Sequence, residues 1–166
     1  MRSTILLLLL GFVLLIQSTV MDLLSIAGIK PDLVMLIVVS NGFLRGTREG
    51  SFFGIIAGLL VDLLTGNYIG HYMLTMMFAG YLAGWFGSRF YKENPGIVLG
   101  TVFLCSLAGQ LLYYVLLLFL GVYVTPLHAL FFVMLPTATY NTLLTPLLYG
   151  LFHRSSSRGL LNEKGF

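Results

Sequence analysis

The chain has 166 residues, 58% of them hydrophobic and only 9% charged, with a mean hydropathy of +0.96. A water-soluble domain carries about a quarter charged residues, so a soluble fold is excluded and lipid becomes the expected solvent. The net charge of +3 does not amount to a nucleic-acid footprint, which needs basic residues clustered on one folded face; here they fall in short loops and tails.

The first predicted span covers about residues 4–24, with Gln17, Ser18 and Asp22 marking its far end. Arg2 and the apolar run after it resemble a signal peptide, and Ser25-Ile26-Ala27 could pass for a cleavage site. The run continues through Val20 and Leu24, however, beyond the typical h-region of roughly 7–15 residues, so a retained span is expected. A short loop over 25–30 leads to Pro31, which suits the first turn of a helix because its missing N–H is not needed there.

The second span is about 31–44, and Arg45-Gly46-Thr47-Arg48-Glu49 connects it to the third, about 50–64. The turn Thr65-Gly66-Asn67 precedes the fourth span, about 68–87, which ends at Arg89, Lys92 and Asn94-Pro95. The fifth, about 96–120, carries no charge and holds Cys105, the single cysteine. With no second thiol there is neither an internal disulfide nor a CxxC site, and Cys105 reads as small apolar packing. Gly121–Thr125 turns the chain into the sixth span, about 126–152, and the polar tail, 153–166, is expected to be disordered in the cytoplasm.

Spans two and three are shorter than the ~20 residues needed to cross the hydrocarbon core. A re-entrant hairpin would place Arg45, Arg48 and Glu49 near mid-membrane at roughly 2.5–3.5 kcal/mol each, so full spans with polar flanks are favoured. Threaded this way, Arg2, Arg45, Arg48, Arg89, Lys92, Arg154, Arg158 and Lys164 share one side, and only Lys30 lies opposite. Cytoplasmic segments carry the Lys and Arg excess. The expectation is an all-α polytopic membrane protein of six transmembrane helices, both termini cytoplasmic.

Several patterns could carry function. Glycines recur at 50, 54 and 58; four residues turn a helix by a full turn plus only ~40°, so they form one bare stripe. Such stripes admit a close helix neighbour in lipid, and a neighbour within the same chain is favoured over another molecule. Gly80, Gly84 and Gly87 repeat the device in span four. Asp32, in the first turn of span two, would complement the helix dipole.

Asp62 continues the glycine stripe. It reads either as a functional ionisable group, with Asn67, His71 or Lys30 as partners, or as a structural cap. In span six, Pro126, Pro136 and Pro146 interrupt the helix ladder, and Thr137, Thr139, Asn141, Thr142 and Thr145 offer groups to re-satisfy it, giving a kinked, polar-faced helix that either lines a cavity, docks a partner or satisfies itself internally. His71, His128 and His153 share no metal-ligand spacing. No nucleophile elbow, phosphate loop or paired carboxylates appear, so neither an enzyme nor a cofactor is indicated.

Pro31-Asp32-Leu33-Val34, then Gly42-Phe43-Leu44-Arg45-Gly46, Arg48-Glu49-Gly50, Gly54, Ala57-Gly58-Leu59-Leu60, Asp62-Leu63, Gly66, Gly70 and Gly80-Tyr81-Leu82-Ala83-Gly84 follow one another in an order and spacing that resembles the bacterial rod shape-determining MreD family. Asn141-Thr142-Leu143-Leu144 and Pro146-Leu147-Leu148-Tyr149 extend the likeness. The resemblance implies a non-enzymatic inner-membrane protein of the cell-elongation machinery that pairs with MreC and helps connect MreB filaments to RodA and a class B penicillin-binding protein. It carries no catalytic residues.

The positions expected to matter for fold or partner contact are Pro31, Asp32, Arg45, Gly46, Arg48, Glu49, Gly50, Gly54, Gly58, Asp62, Gly80, Gly84, Asn141 and Pro146. The loops Arg45–Glu49 and Arg89–Asn94 are candidate contacts for cytoplasmic partners, or serve topology alone. The family's fold is also similar to the substrate-binding subunits of energy-coupling-factor vitamin transporters, which supplies a rival function. Those subunits commonly carry an Ala-xxx-Ala docking stripe in the first span, and Ile5–Leu10 holds no alanine. A channel fits less well, since no filter-like loop or charge ring is present.

Overall fold

The computed structural model describes residues 2–19, 31–66, 68–90 and 94–157, of which 2–9, 18 and 147–157 are described as backbone. Asp22, the 25–30 loop with Lys30, Asn67, Lys92, Arg158 and Lys164 lie outside the described residues, as does the tail from 158 onward. The described chain is helical, without a strand.

Helix α1 spans Arg2–Thr19. Helix α2, Leu33–Arg45, starts where the Asp32 side chain accepts the Met35 N–H, so Asp32 is the N-cap. Pro31 therefore stands one residue ahead of the cap and not in the first turn. Gly46 alone separates α2 from α3, Thr47–Thr65. Its φ of +100°, open to glycine at little cost, reverses the chain in one residue. Arg48 and Glu49, expected in a connecting loop, sit in the first turn of α3, where a glutamate complements the positive helix end. This lengthens the third element to 19 residues.

Helix α4, His71–Arg89, returns antiparallel to α3 after Gly66 and Gly70, both left-handed. Helix α5, Pro95–Phe119, opens with Asn94 accepting the Gly96 N–H and proline in the first turn, the arrangement its sequence favours.

The last rod is compound. A short α6, Pro126–Ala129, passes through a π-helical turn, Leu130–Met134, into α7, Leu135–Ser157. The Leu135 N–H reaches back five residues to the Leu130 carbonyl. Pro136 has no N–H to offer the Phe132 carbonyl, so the regular ladder is interrupted at this point. α7 runs on to Ser157, past the start of the polar tail.

Helix α2 is the centre of the bundle. Every residue from Leu33 to Phe43 is buried, and α2 contacts α1, α3, α4, α5 and α7. A 13-residue helix rises only ~20 Å, less than the bilayer core, but this helix is surrounded by protein. Its short length therefore exposes no backbone to lipid. Its corner at Gly46 packs on Gly84, close to the end of α4 at Arg89. That position is the end of the bundle, not halfway along it.

The outside is apolar. Phe12, Phe52, Leu63, Tyr81, Trp85, Leu104, Leu111, Phe131 and Leu143 are all exposed, from α1 through α7. Soluble monomers rarely show apolar surface on this scale. Among the described residues, Pro95–Phe119 and Pro126–Pro146 are long and apolar enough to cross a membrane.

Candidate functional site

The glycine stripe of α3 lies against the backbone of α4 within the same chain. A Cβ added at Gly50 would meet the Gly80 carbonyl, at Gly54 the Met76 carbonyl, and at Gly58 the Met73 and Tyr72 backbone. Gly80 and Gly84 reciprocate against Gly50 and against Gly46–Thr47. Each step of four along α3 is thus matched by four back along α4. Gly42 joins the seam from α2, 2.5 Å from the Gly80 carbonyl for an added Cβ, and Gly87 closes on the Phe43 backbone. Three helices meet with almost no side chain between them.

Asp62 ends this seam and is 2% exposed. Its Oδ2 accepts from the N–H groups of Gly70 (2.8 Å) and Met73 (3.1 Å), and its Oδ1 from Tyr72 (3.0 Å). The N-cap position of α4 is Gly70, which has no side chain to serve. A carboxylate from α3 therefore satisfies the open N–H groups of the α4 first turn and faces its positive dipole end. Among the described residues its partners are these backbone donors. The His71 ring lies against Tyr68 and Tyr113 instead.

A second polar node joins residues far apart in sequence. The Asp32 N–H donates to Asn141 Oδ1 at 2.9 Å, and Asn141 Nδ2 donates to Ser106 Oγ at 3.2 Å. Gln17 Oε1 accepts from the Val34 N–H at 3.2 Å. Helices α1, α2, α5 and α7 are pinned together at the start of α2, with Asn141 and Ser106 fully buried. Asn141→Leu removes the acceptor for a buried N–H and leaves Ser106 without its donor; we expect a loss of roughly 1–3 kcal/mol in thermal unfolding. Asn141→Asp keeps the acceptor but buries a second carboxyl beside Asp32, so it should not restore stability.

Above that node lies a cavity of about 650 Å³. Gln17, Asp32, Gln110, Tyr72, Tyr113 and His128 supply its polar wall, and Leu117, Val124, Phe132 and Val133 its apolar wall. The Tyr72 and Tyr113 rings lie 4.8 Å apart, and His128 stacks on Phe132 at the same distance. The π-helical turn forms one side, which is a common setting for such turns. This volume is within the ~300–1,000 Å³ range of small-molecule sites. Among the described residues no group of three or more His, Cys, Asp or Glu could hold a metal ion.

At the opposite end Arg45 and Glu49 pair at 3.4 Å across the Gly46 corner. Such exposed pairs are worth about 0–1 kcal/mol. Arg48 is exposed nearby, and Arg89 lies 5.1 Å over the Trp85 ring. Pro146 is an exposed interruption within α7, apart from both nodes. The hydroxyls of Thr139, Thr142 and Thr145 each bond the carbonyl four residues back, at Leu135, Ala138 and Asn141. They do not reach the carbonyls that Pro136 and Pro146 leave open, those of Phe132 and Thr142.

The fifth helix contributes more than its chargeless sequence indicated. Ser106, Gln110, Tyr113 and Tyr114 recur at helical spacing, and that periodic polar stripe was the signal for a polar-lined face.

No curated protein and no solved structure matches this chain. The family of rod shape-determining protein MreD, membrane-associated shape proteins, matches residues 1–154 of the 166, and the chain belongs to it.

Proposed function

We infer that the protein is a six-span inner-membrane scaffold of the rod-elongation complex, binding MreC and helping to organise peptidoglycan synthesis and cell shape. The family match over residues 1–154 carries this reading. The apolar exterior supports it, because lipid-facing helices are also the faces on which a membrane partner docks. In this threading the Asp32 end faces the periplasm, and the Arg45 and Arg89 end, with both termini, faces the cytoplasm.

The glycine seam and the two polar nodes make a stiff body, suited to holding partners in fixed relation. MreC engages the exposed helix faces and the periplasmic end. The Arg45–Glu49 corner and the end of α4 are the surfaces offered to MreB, RodA or a class B penicillin-binding protein.

Co-expression with tagged MreC and purification in mild detergent tests the proposal. The two proteins are expected to co-elute through size exclusion. The cavity is the observation that favours the rival, a substrate-binding subunit of a vitamin or small-molecule transporter. Tight vitamin binding without MreC association would establish that rival and end the scaffold reading.

A further inference from the structure

We propose that the cavity at the start of α2 binds an organic ammonium with an apolar body, its charged nitrogen at Asp32 and its body along Leu117 and Val133. Asp32 is only 7% exposed, yet it lines this cavity. Capping α2 engages Oδ1 on the Met35 N–H, and the Val34 N–H and the Gln17 side chain also bond this carboxyl; all three are neutral groups. Asparagine or serine caps as well as aspartate does, so the cap does not account for a charge at this position. A carboxyl group buried in a bundle of this kind is costly to ionise, and a cationic partner offsets that cost.

The cavity wall contains no lysine or arginine among the described residues. It includes two aromatic rings instead, those of Tyr72 and Tyr113, 4.8 Å apart. Aromatic faces beside a carboxylate attract ammonium groups through their ring quadrupoles and repel anions. Gln110 adds an amide oxygen that can accept from an ammonium N–H, whereas Gln17 Oε1 already accepts the Val34 N–H. Apart from Tyr114, His128 and Thr137 the remaining wall is apolar, which selects a molecule with a hydrocarbon or aromatic body over a bare metal ion or free ammonia. The inference stands on this geometry and does not depend on the scaffold reading.

The test uses the full chain in phosphatidylglycerol nanodiscs, with equilibrium dialysis of labelled 2-phenylethylammonium and its neutral isostere 2-phenylethanol, empty discs serving as the blank. We expect saturable binding of the ammonium at one site and at least tenfold weaker binding of the alcohol. Asp32→Asn keeps the cap and should abolish the preference. Leu117→Trp leaves the cap untouched, fills the cavity and should abolish binding of both.

Adding phosphatidylethanolamine to the discs separates two sources of the same chemistry. Competition assigns the ammonium to a lipid headgroup, and its absence to a soluble amine. Equal affinity for the ammonium and the alcohol, full ammonium binding by Asp32→Asn or by Leu117→Trp, or no saturable binding each overturns the proposal. MreC association is measured separately, so its failure leaves this result intact.

Discussion

Asp62→Ala is expected to destabilise the bundle by about 3–5 kcal/mol, enough to abolish recovery of folded protein from the membrane. The side chain supplies acceptors to three backbone N–H groups, of Gly70, Tyr72 and Met73, from a position that is 2% exposed. Hydrogen bonds to a charged group contribute roughly 1.5–3 kcal/mol each, less when they share one carboxylate, and a buried donor left open costs about as much. No residue of α4 can substitute, because its own cap position is Gly70.

Asp62→Asn separates charge from hydrogen bonding. Asparagine offers one acceptor oxygen where the carboxylate uses two, and its amide nitrogen meets a backbone N–H. An intermediate loss, about 1–3 kcal/mol, is therefore expected. The measurement is thermal unfolding in detergent, followed by a thiol-reactive dye at Cys105, which is buried and the single cysteine of the chain. Wild-type stability in Asp62→Ala would refute the capping role. Unchanged stability with lost cell-shape activity in Asp62→Asn would restore a charge-dependent one.

Gly54→Ala tests the seam. The added methyl would fall on the Met76 carbonyl group and within 2.9 Å of the Met77 Cα, all of it backbone. Backbone cannot rotate aside as a side chain can, so α3 and α4 must separate along their length. Overpacking costs typically 1–3 kcal/mol and occasionally more, while alanine in a helix recovers about 0.5–1 kcal/mol over glycine. The net expectation is a loss of about 2 kcal/mol, and Gly54→Leu should not fold.

Gly100→Ala is the matched control, since nothing lies within 4 Å of a Cβ at Gly100. Only the propensity gain operates there, so this variant should be neutral or slightly stabilised. If the two alanine variants unfold alike, close backbone approach is not what the stripe provides.

Much of this was legible in the chain itself. The interval of four between Gly50, Gly54 and Gly58 announces a bare face, because helix geometry turns sequence spacing into direction. The fifth span, expected from about 96, begins at Pro95 in the structure, with Asn94, read as part of the preceding connection, as its cap. The length of α3 was less legible. Charged residues in Arg45–Glu49 read as a loop, whereas a single left-handed glycine makes the turn and the charges begin the helix.

Other features left no local trace. Asn141 stood out as a polar residue in an apolar span, but its acceptor role toward Asp32 spans 109 positions. Gly109, which admits the end of the Met35 side chain, has no four-spaced companion of its own in α5 other than residues of ordinary size. The cavity draws its walls from α1, the Pro31–Asp32 entry to α2, α4, α5 and the compound last rod, and no single segment encodes a shared void.

Composition and periodicity alone determined the solvent, the helical class and which helix faces are bare, since transfer to lipid and helix pitch act on each segment by itself. Tertiary packing decided which backbone meets each bare face, which helix end Asp62 serves, and that α2 is central. Those outcomes depend on distances between segments, and a helix specifies the direction of its faces but not what stands opposite them.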